Sequence, residues 1–350
     1  MNNILTYAKT NLKTFSEVPF NEIDSLILSY LSYLDFPKIC TTQKEIPLTK
    51  IVNSEFYNDI SDDKDNHNKY ELLCYMLVSP RYKNIKVSNF IRIDGSDIQF
   101  SSVVFRINWR LRYVAFRGTD SSLAGWKENI LLALEEPTNS QIKALEQLKM
   151  IIKTKLGNFI VGGHSKGGNM AVYSASMLNK NEMKRVFKVY SHDGPGFEKE
   201  LSHWGFKAMK DKIHKTIPQD SIVGMLFNHE CTPSVIHSCA EGGINQHEPV
   251  TWEIENDSFV KEGCVNNNAN KISKLINTII FTPDYENRKE LIDALFSAVR
   301  NTKVKDFNEF MLNWKKFIPE IIKNLHMLND ETKQELNNVI KNLFVKKSEE

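Results

Sequence analysis

The segment 158-NFIVGGHSKGGNMAVYSA-175 sets a serine between two glycines, 163-GHSKG-167, with an apolar run before it and small residues, Ala171, Ser174 and Ala175, after it. A serine hydroxyl becomes a useful nucleophile only when a base can take its proton and donors can hold the oxyanion that its attack creates. Strand, G-x-S-x-G and helix in that order form a nucleophile elbow, where the serine stands on a strained turn. The glycines follow from crowding, because side chains at Gly163 or Gly167 would run into the neighbouring strand and helix. The helix start also favours negative charge developing beside it. The pattern is short enough to arise by chance, and its bland reading is a structural glycine turn, so the rest of the machinery has to be found elsewhere in the chain.

In such an elbow one oxyanion donor is the backbone N–H after the nucleophile, here that of Lys166. The second must come from a loop after an earlier strand. The segment 114-VAFRGTDSSLAGWKENI-130 supplies one: a strand ends, Gly118 lets the chain turn, and Thr119 offers an N–H and a hydroxyl. Its bland reading is an ordinary strand exit. Just beyond, 121-SSLAGWKENILLALEE-136 carries Trp126, Ile130, Leu131, Leu132 and Leu134, which suits either a lid that opens at a lipid surface or a helix covering the sheet. A lid of that kind would bring transient contact with a membrane surface.

Positioning these residues requires an alternating fold. Apolar spacing predicts a helix over 20–35 after an Asn21 cap, and the polar stretch 54–70 reads as a loop. Residues 88–117 read as hairpin strands broken at Asp94-Gly95 and Asn108. Strands then alternate with helices: strand 111–117, helix 139–155, strand 158–162, helix 169–179, strand 186–191, helix 197–212, and short strands near 213–218, 233–238 and 249–254. That alternation predicts an α/β fold with a mostly parallel central sheet. Residues 256–274 lose apolar content, and the chain beyond them is helical in pattern, with Leu291, Ile292, Leu295, Phe296 and Val299 on one face and Pro319 as a kink. The expected organisation is one α/β domain over 1–260, including the N-terminal helical segment, and a helical C-terminal region over 261–350 packed on it.

Taken together, FRGTDSSLAGWKENI and GHSKGGNMA resemble the class 3 (fungal-type) lipases, and the closer resemblance is to an uncharacterised bacterial domain family allied to them. That closer family shares FSEVPFNEIDSLILSYLSYLD, HDGPGF, IPQDSIVGML and QHEPVTW, so the likeness runs over about residues 14–300. It implies an α/β-hydrolase fold more firmly than it implies a substrate. For the triad acid it points to Asp220 in 217-IPQDSIVGML-226, which stands 55 residues after Ser165. The competing carboxylate is Asp193 in SHDGPG, read by the same likeness as part of a glycine-rich turn. A base placed after the acid has to be His229, His237, His247 or His326, and the family pattern points to His247 in 243-GINQHEPVTWEI-254. His164 is expected to support the elbow. Lys166 departs from the family, which carries an apolar residue there. Its ammonium is expected either beside the oxyanion, favouring anionic substrates, or in water at the end of a long stem.

Composition narrows the alternatives. The 350 residues are 41% hydrophobic and 25% charged with a formal net charge of +2, and no aromatic-and-basic stripe calls for nucleic acid. The N-terminus lacks a secretory core and no window approaches a membrane span, so a cytoplasmic protein is expected, with leaderless export outside the reach of this test. Five scattered cysteines do not make a disulfide framework and fit a reducing compartment. His229, Cys231, His237, Cys239 and His247 crowd together without C-x-x-C or H-E-x-x-H spacing, so no metal is expected, and the glycine spacing fits no dinucleotide cofactor. The expected activity is hydrolysis of a small-molecule ester or lipid by Ser165, His247 and Asp220, with no cofactor. Its rivals are thioester cleavage or acyl transfer on the same triad, and a binding module that kept the fold.

Overall fold

The computed structural model describes residues 2–51, 67–95, 98–119, 132, 134, 137–197, 203–281, 288–290, 292, 330, 333 and 334. The N-terminal part supplies helices α1 (Ile4–Thr10), α2 (Glu22–Leu31) and α3 (His67–Val78). Eight strands form one sheet in sequence order: β1 (Ile46–Pro47), β2 (Lys86–Asp94), β3 (Gln99–Arg106), β4 (Leu111–Phe116), β5 (Asn158–His164), β6 (Val186–His192), β7 (Ile213–Pro218) and β8 (Ser234–Ile236). The ladders from β1 to β4 are antiparallel, as hairpins require, and the four from β4 to β8 are parallel. The parallel crossovers carry α4 (Asn139–Thr154), α5 (Lys166–Ser176), α6 (Lys180–Met183) and α7 (Trp204–Met209). This is the mostly parallel α/β arrangement that the alternation of elements calls for, and it agrees with the α/β-hydrolase fold that the motif likeness implies.

Alternate side chains of the strands feed two cores. Tyr113 and Ala115 of β4, Ile160 of β5 and Tyr190 of β6 pack with α1, α2 and α3 on one face. Val114 and Phe116, Phe159 and Val161, and Val189 pack with α4, α5 and α7 on the other. A strand buried on both faces reads as a near-continuous apolar run, which is why β5 is legible in sequence.

Several boundaries move. Helix α5 begins at Lys166 rather than 169, because Gly167 and Gly168 are taken into its first turn. Residues 67–70, read as loop, open α3. Pro249–Thr251 form a 3₁₀ turn, and the strand expected there is confined to β9 (Ile254–Glu255), paired with β10 (Ser258–Phe259). Helix α7 occupies only part of 197–212.

Helix α2 is fastened at its start. Asn21 and Asp24 form a capping box, and the same Asp24 receives Arg81 at 2.6 Å and the Tyr82 hydroxyl at 2.7 Å, with both ion-pair partners fully buried. Arg81 also donates to the carbonyls of Lys13, Val18 and Pro19, so its charge is satisfied in all directions. After β10, helix α8 (Asn267–Phe281) docks through Asn277, which accepts from Phe227 N–H at 2.9 Å and donates to the Met225 carbonyl at 3.0 Å. Leu132 and Leu134 share a small apolar cluster with Leu226, Phe227, Ile280 and Ile292. The remainder of the lid candidate, with Trp126, Ile130 and Leu131, lies outside the described residues, as do His326 and most of the C-terminal region.

Candidate active site

Ser165 stands between β5 and α5 with φ 59° and ψ −134°. A residue other than glycine pays roughly 1–3 kcal/mol for such a backbone, and the surroundings must hold it there. They do so through the Ser165 N–H on the His192 carbonyl at 2.9 Å and the Gly168 N–H on the Ser165 carbonyl at 2.8 Å. The crowding inferred for the glycines is visible: a Cβ on Gly163 would stand 2.3 Å from the Gly167 carbonyl carbon, and one on Gly167 2.1 Å from the Phe116 oxygen. Both obstacles are backbone, so neither can move aside.

The expected oxyanion loop reaches the elbow. A Cβ on Gly118 would come within 2.6 Å of the His164 carbonyl oxygen and 3.0 Å of Ser165 Cβ. Thr119, half-buried, comes directly after it, and Lys166 is the first residue of α5, where backbone N–H groups lack intrahelical partners. The Lys166 side chain contradicts one of the two expectations for it, the solvated ammonium. Its ammonium is not in water: the residue is 1% exposed, and Nζ donates to the Gln99 carbonyl at the start of β3, at 2.7 Å.

The histidine and the acid separate what the sequence likeness joined. His247 lies in the turn Asn245–His247, and its Nδ1 sits 2.6 Å from Asp193 Oδ2. Asp193 stands just after β6, is fully buried, has φ 48°, and accepts at Oδ1 from the Ser221 hydroxyl at 2.5 Å and the Gly224 N–H at 3.1 Å. A carboxylate can only accept, so Nδ1 carries the proton and Nε2 is the nitrogen left for exchange. Asp220, expected in this role, does not meet His247. Its oxygens receive the side-chain amides of Gln246 at 3.0 Å and Asn266 at 2.9 Å, while its N–H donates to Gln246 Oε1 at 2.8 Å. The reason is topological: β6 pairs directly with β5 and its exit is tied to Ser165, whereas β7 lies one strand further out. Asp220 instead steadies the residue before His247.

Three further side chains complete the surroundings. His164 is buried; its Nε2 lies 2.8 Å from the His247 carbonyl oxygen and its ring centroid 4.4 Å from that of His247. Burial first, and then the neighbouring His247, push its pKa well below the ordinary histidine range, so it is neutral. The Tyr33 hydroxyl is 3.1 Å from its other nitrogen. Buried Trp252 packs edge-on with both His164 and His192, with its indole N–H on the Gln246 carbonyl at 2.7 Å. Sequence reading assigned no role to Tyr33 or His192; the helical spacing of Ser25, Ser29 and Tyr33 was the available signal. The hydroxyl of Ser165 makes no hydrogen bond among the described residues, and such contacts are often long before substrate arrives.

The Mbeg1-like family model matches residues 76–297, well over half of the chain. The chain belongs to the Mbeg1-like family. With that membership, the relation to lipase-related α/β-hydrolases drawn from FRGTD and GHSKGG holds. Among solved structures, this Mbeg1-like chain is similar to a mutant form of MDLA from Penicillium cyclopium, with TM-score 0.43 and 13% identity over 69% of this chain and 85% of that one. It is also similar to M37 lipase, with TM-score 0.37 and 15% identity over 60% and 71%. For the Rhizomucor miehei lipase propeptide complex the values are 0.32 and 18% over 44% and 57%, so the chain spans little more than half the length of that lipase. Such distant likenesses say nothing about substrate. A search of curated proteins finds no match. Among the described residues no helix is long and apolar enough to cross a membrane.

Proposed function

We propose that this Mbeg1-like chain is a serine hydrolase of carboxylic esters, with lipid esters as the substrate class. The observation that carries the reading is the 2.6 Å contact of His247 Nδ1 with buried Asp193, beside a serine held at positive φ on a strand-to-helix elbow. In the proposed reaction His247 Nε2 takes the proton of Ser165 as Oγ attacks the ester carbonyl. Asp193 fixes the tautomer and stabilises the imidazolium. The N–H groups of Thr119 and Lys166 hold the tetrahedral oxyanion. Collapse breaks the acyl–oxygen bond, and His247 returns its proton to the leaving alcohol. Water, deprotonated by His247, then releases the acid from Ser165, and no metal or organic cofactor enters any step.

Covalent labelling by a fluorophosphonate tests the reading. The wild-type chain should be labelled once, at Ser165, and Ser165→Ala should abolish it; a chain that is not labelled would be a binding module that retains the fold. A panel of esters of graded acyl length then reads the substrate class. Product analysis with and without an added alcohol separates hydrolysis from acyl transfer, which the same triad could perform.

A further inference from the structure

Helix α2 lies across β4, β5 and β6, and its polar side chains sit where an apolar covering helix would carry none. Ser25, Ser29 and Tyr33 recur at every fourth position and share one stripe, with Tyr30 beside it. Each of the polar groups on this stripe ends next to a member of the triad or its supporting strand.

Ser25 Oγ is 2.8 Å from Nε2 of His192, the residue before Asp193, whose carbonyl also receives the Ser165 N–H. The Tyr33 hydroxyl is 3.1 Å from Nδ1 of His164, the residue before Ser165, and His164 Nε2 meets the His247 carbonyl at 2.8 Å. The Tyr30 hydroxyl donates to the carboxylate of Glu248, the residue after His247. Ser25 and Ser29 both bond the Tyr113 hydroxyl, at 2.8 and 2.7 Å, and that hydroxyl stands over Gly162 of β5, where a Cβ would come within 2.2 Å of it. The helix therefore touches the chain neighbour of the nucleophile, of the acid and of the base, and it does so from a segment outside the matched residues 76–297.

Resting on the serine-hydrolase reading, we infer that α2 with Tyr33 is the positioning element of the triad, and that the relay Tyr33–His164–His247 sets the orientation of the catalytic imidazole. The relay fixes His164 in one form. Its Nε2–H donates to the His247 carbonyl, so Nδ1 must accept, and Tyr33 is the donor. The adjacent ring of His164 then fixes the plane of His247 while Asp193 fixes its tilt. The titratable and charged groups that face His164 are Tyr33, His247, His192 and Lys69. Tyr33 and its relay partners touch no reacting atom; they act through His247.

The test uses the full chain. Tyr33→Phe removes one hydroxyl and keeps the ring. Its expected effect is an approximately tenfold fall in the maximal rate of fluorophosphonate labelling, with little change in the concentration dependence and an altered acid limb of the labelling pH profile. Tyr30→Phe combined with it should deepen the fall to about a hundredfold. Labelling of Tyr33→Phe at the wild-type rate with the wild-type pH profile would overturn the inference. A second readout does not depend on activity: histidine ring NMR should show His164 as the Nε2–H tautomer, and Tyr33→Phe should shift both the His164 and His247 ring signals. If the wild-type chain is not labelled, the hydrolase reading fails while this readout still decides the relay, and unmoved His247 signals overturn it. Should Tyr33→Phe not fold, Ser25→Ala carries the same measurements from the other end of the helix, read at His192 and Ser165.

Discussion

Two strand exits, one after β6 and one after β7, present an aspartate at the same end of the same sheet, and they do different work. Asp193 is fully buried at positive φ and meets His247, a group that can change its charge. Asp220 is satisfied by two amides, which cannot. Residue type and strand-exit position are shared, so neither decides the role. What decides it is the partner, and the partner depends on which strand lies next to the nucleophile strand.

The most forceful way to break this comparison is to neutralise each acid in turn. Asp193→Asn would keep the shape of the side chain while presenting the wrong group to Nδ1, and the expected loss in labelling or turnover at Ser165 is on the order of 10⁴-fold. A wild-type rate in Asp193→Asn, with the loss appearing in Asp220→Asn instead, would reverse the assignment.

The β6 exit should also carry a pH dependence. His192 is fully buried, and burial pushes its pKa down from 6.5 to about 3. Above 6.5 it is neutral in both folded and unfolded chains and adds no pH dependence. Between 6.5 and about 3 the unfolded chain binds the proton and the folded chain does not, so stability falls as pH falls, by up to about 1.4 kcal/mol per pH unit. Denaturant titrations from about pH 7 to about pH 4 should show this slope, and His192→Gln should reduce it, with the buried His164 and His229 supplying the remainder.

Smaller effects sharpen the contrast. Ser221→Ala removes one of the donors on Asp193 Oδ1 while leaving the Gly224 N–H, and a loss of roughly tenfold in rate is expected, read by the same labelling assay. Asp220→Asn should change the rate by less than about threefold and lower stability by about 1 kcal/mol in chemical denaturation, since one of its two amide partners can still be served. A loss of activity of about a thousandfold in a well-folded Asp220→Asn chain would return Asp220 to the triad.

How much of this was readable before folding depends on whether the signal is local. The elbow was legible because strand, glycine turn and helix are adjacent in sequence, and the glycines are dictated by contacts with Phe116 and between Gly163 and Gly167. The strand-exit loop at Gly118 was legible for the same reason. The acid was not, because two aspartates satisfy the same local pattern and their distances to His247 are a property of strand order. The burial of Lys166 was not legible, because an ammonium on the first turn of a helix has no local reason to be buried; the Gln99 carbonyl that receives it lies on another strand.

By itself, the sequence determined the alternation of elements, the strained serine turn and the small residues that allow it, because these rest on steric and apolar periodicities carried within a few residues. Only the tertiary structure decided which aspartate meets His247, where the Lys166 ammonium ends, and that an N-terminal helix reaches the neighbours of Ser165, Asp193 and His247. Those are contacts between groups far apart in the chain, and the order in which strands join the sheet fixes them.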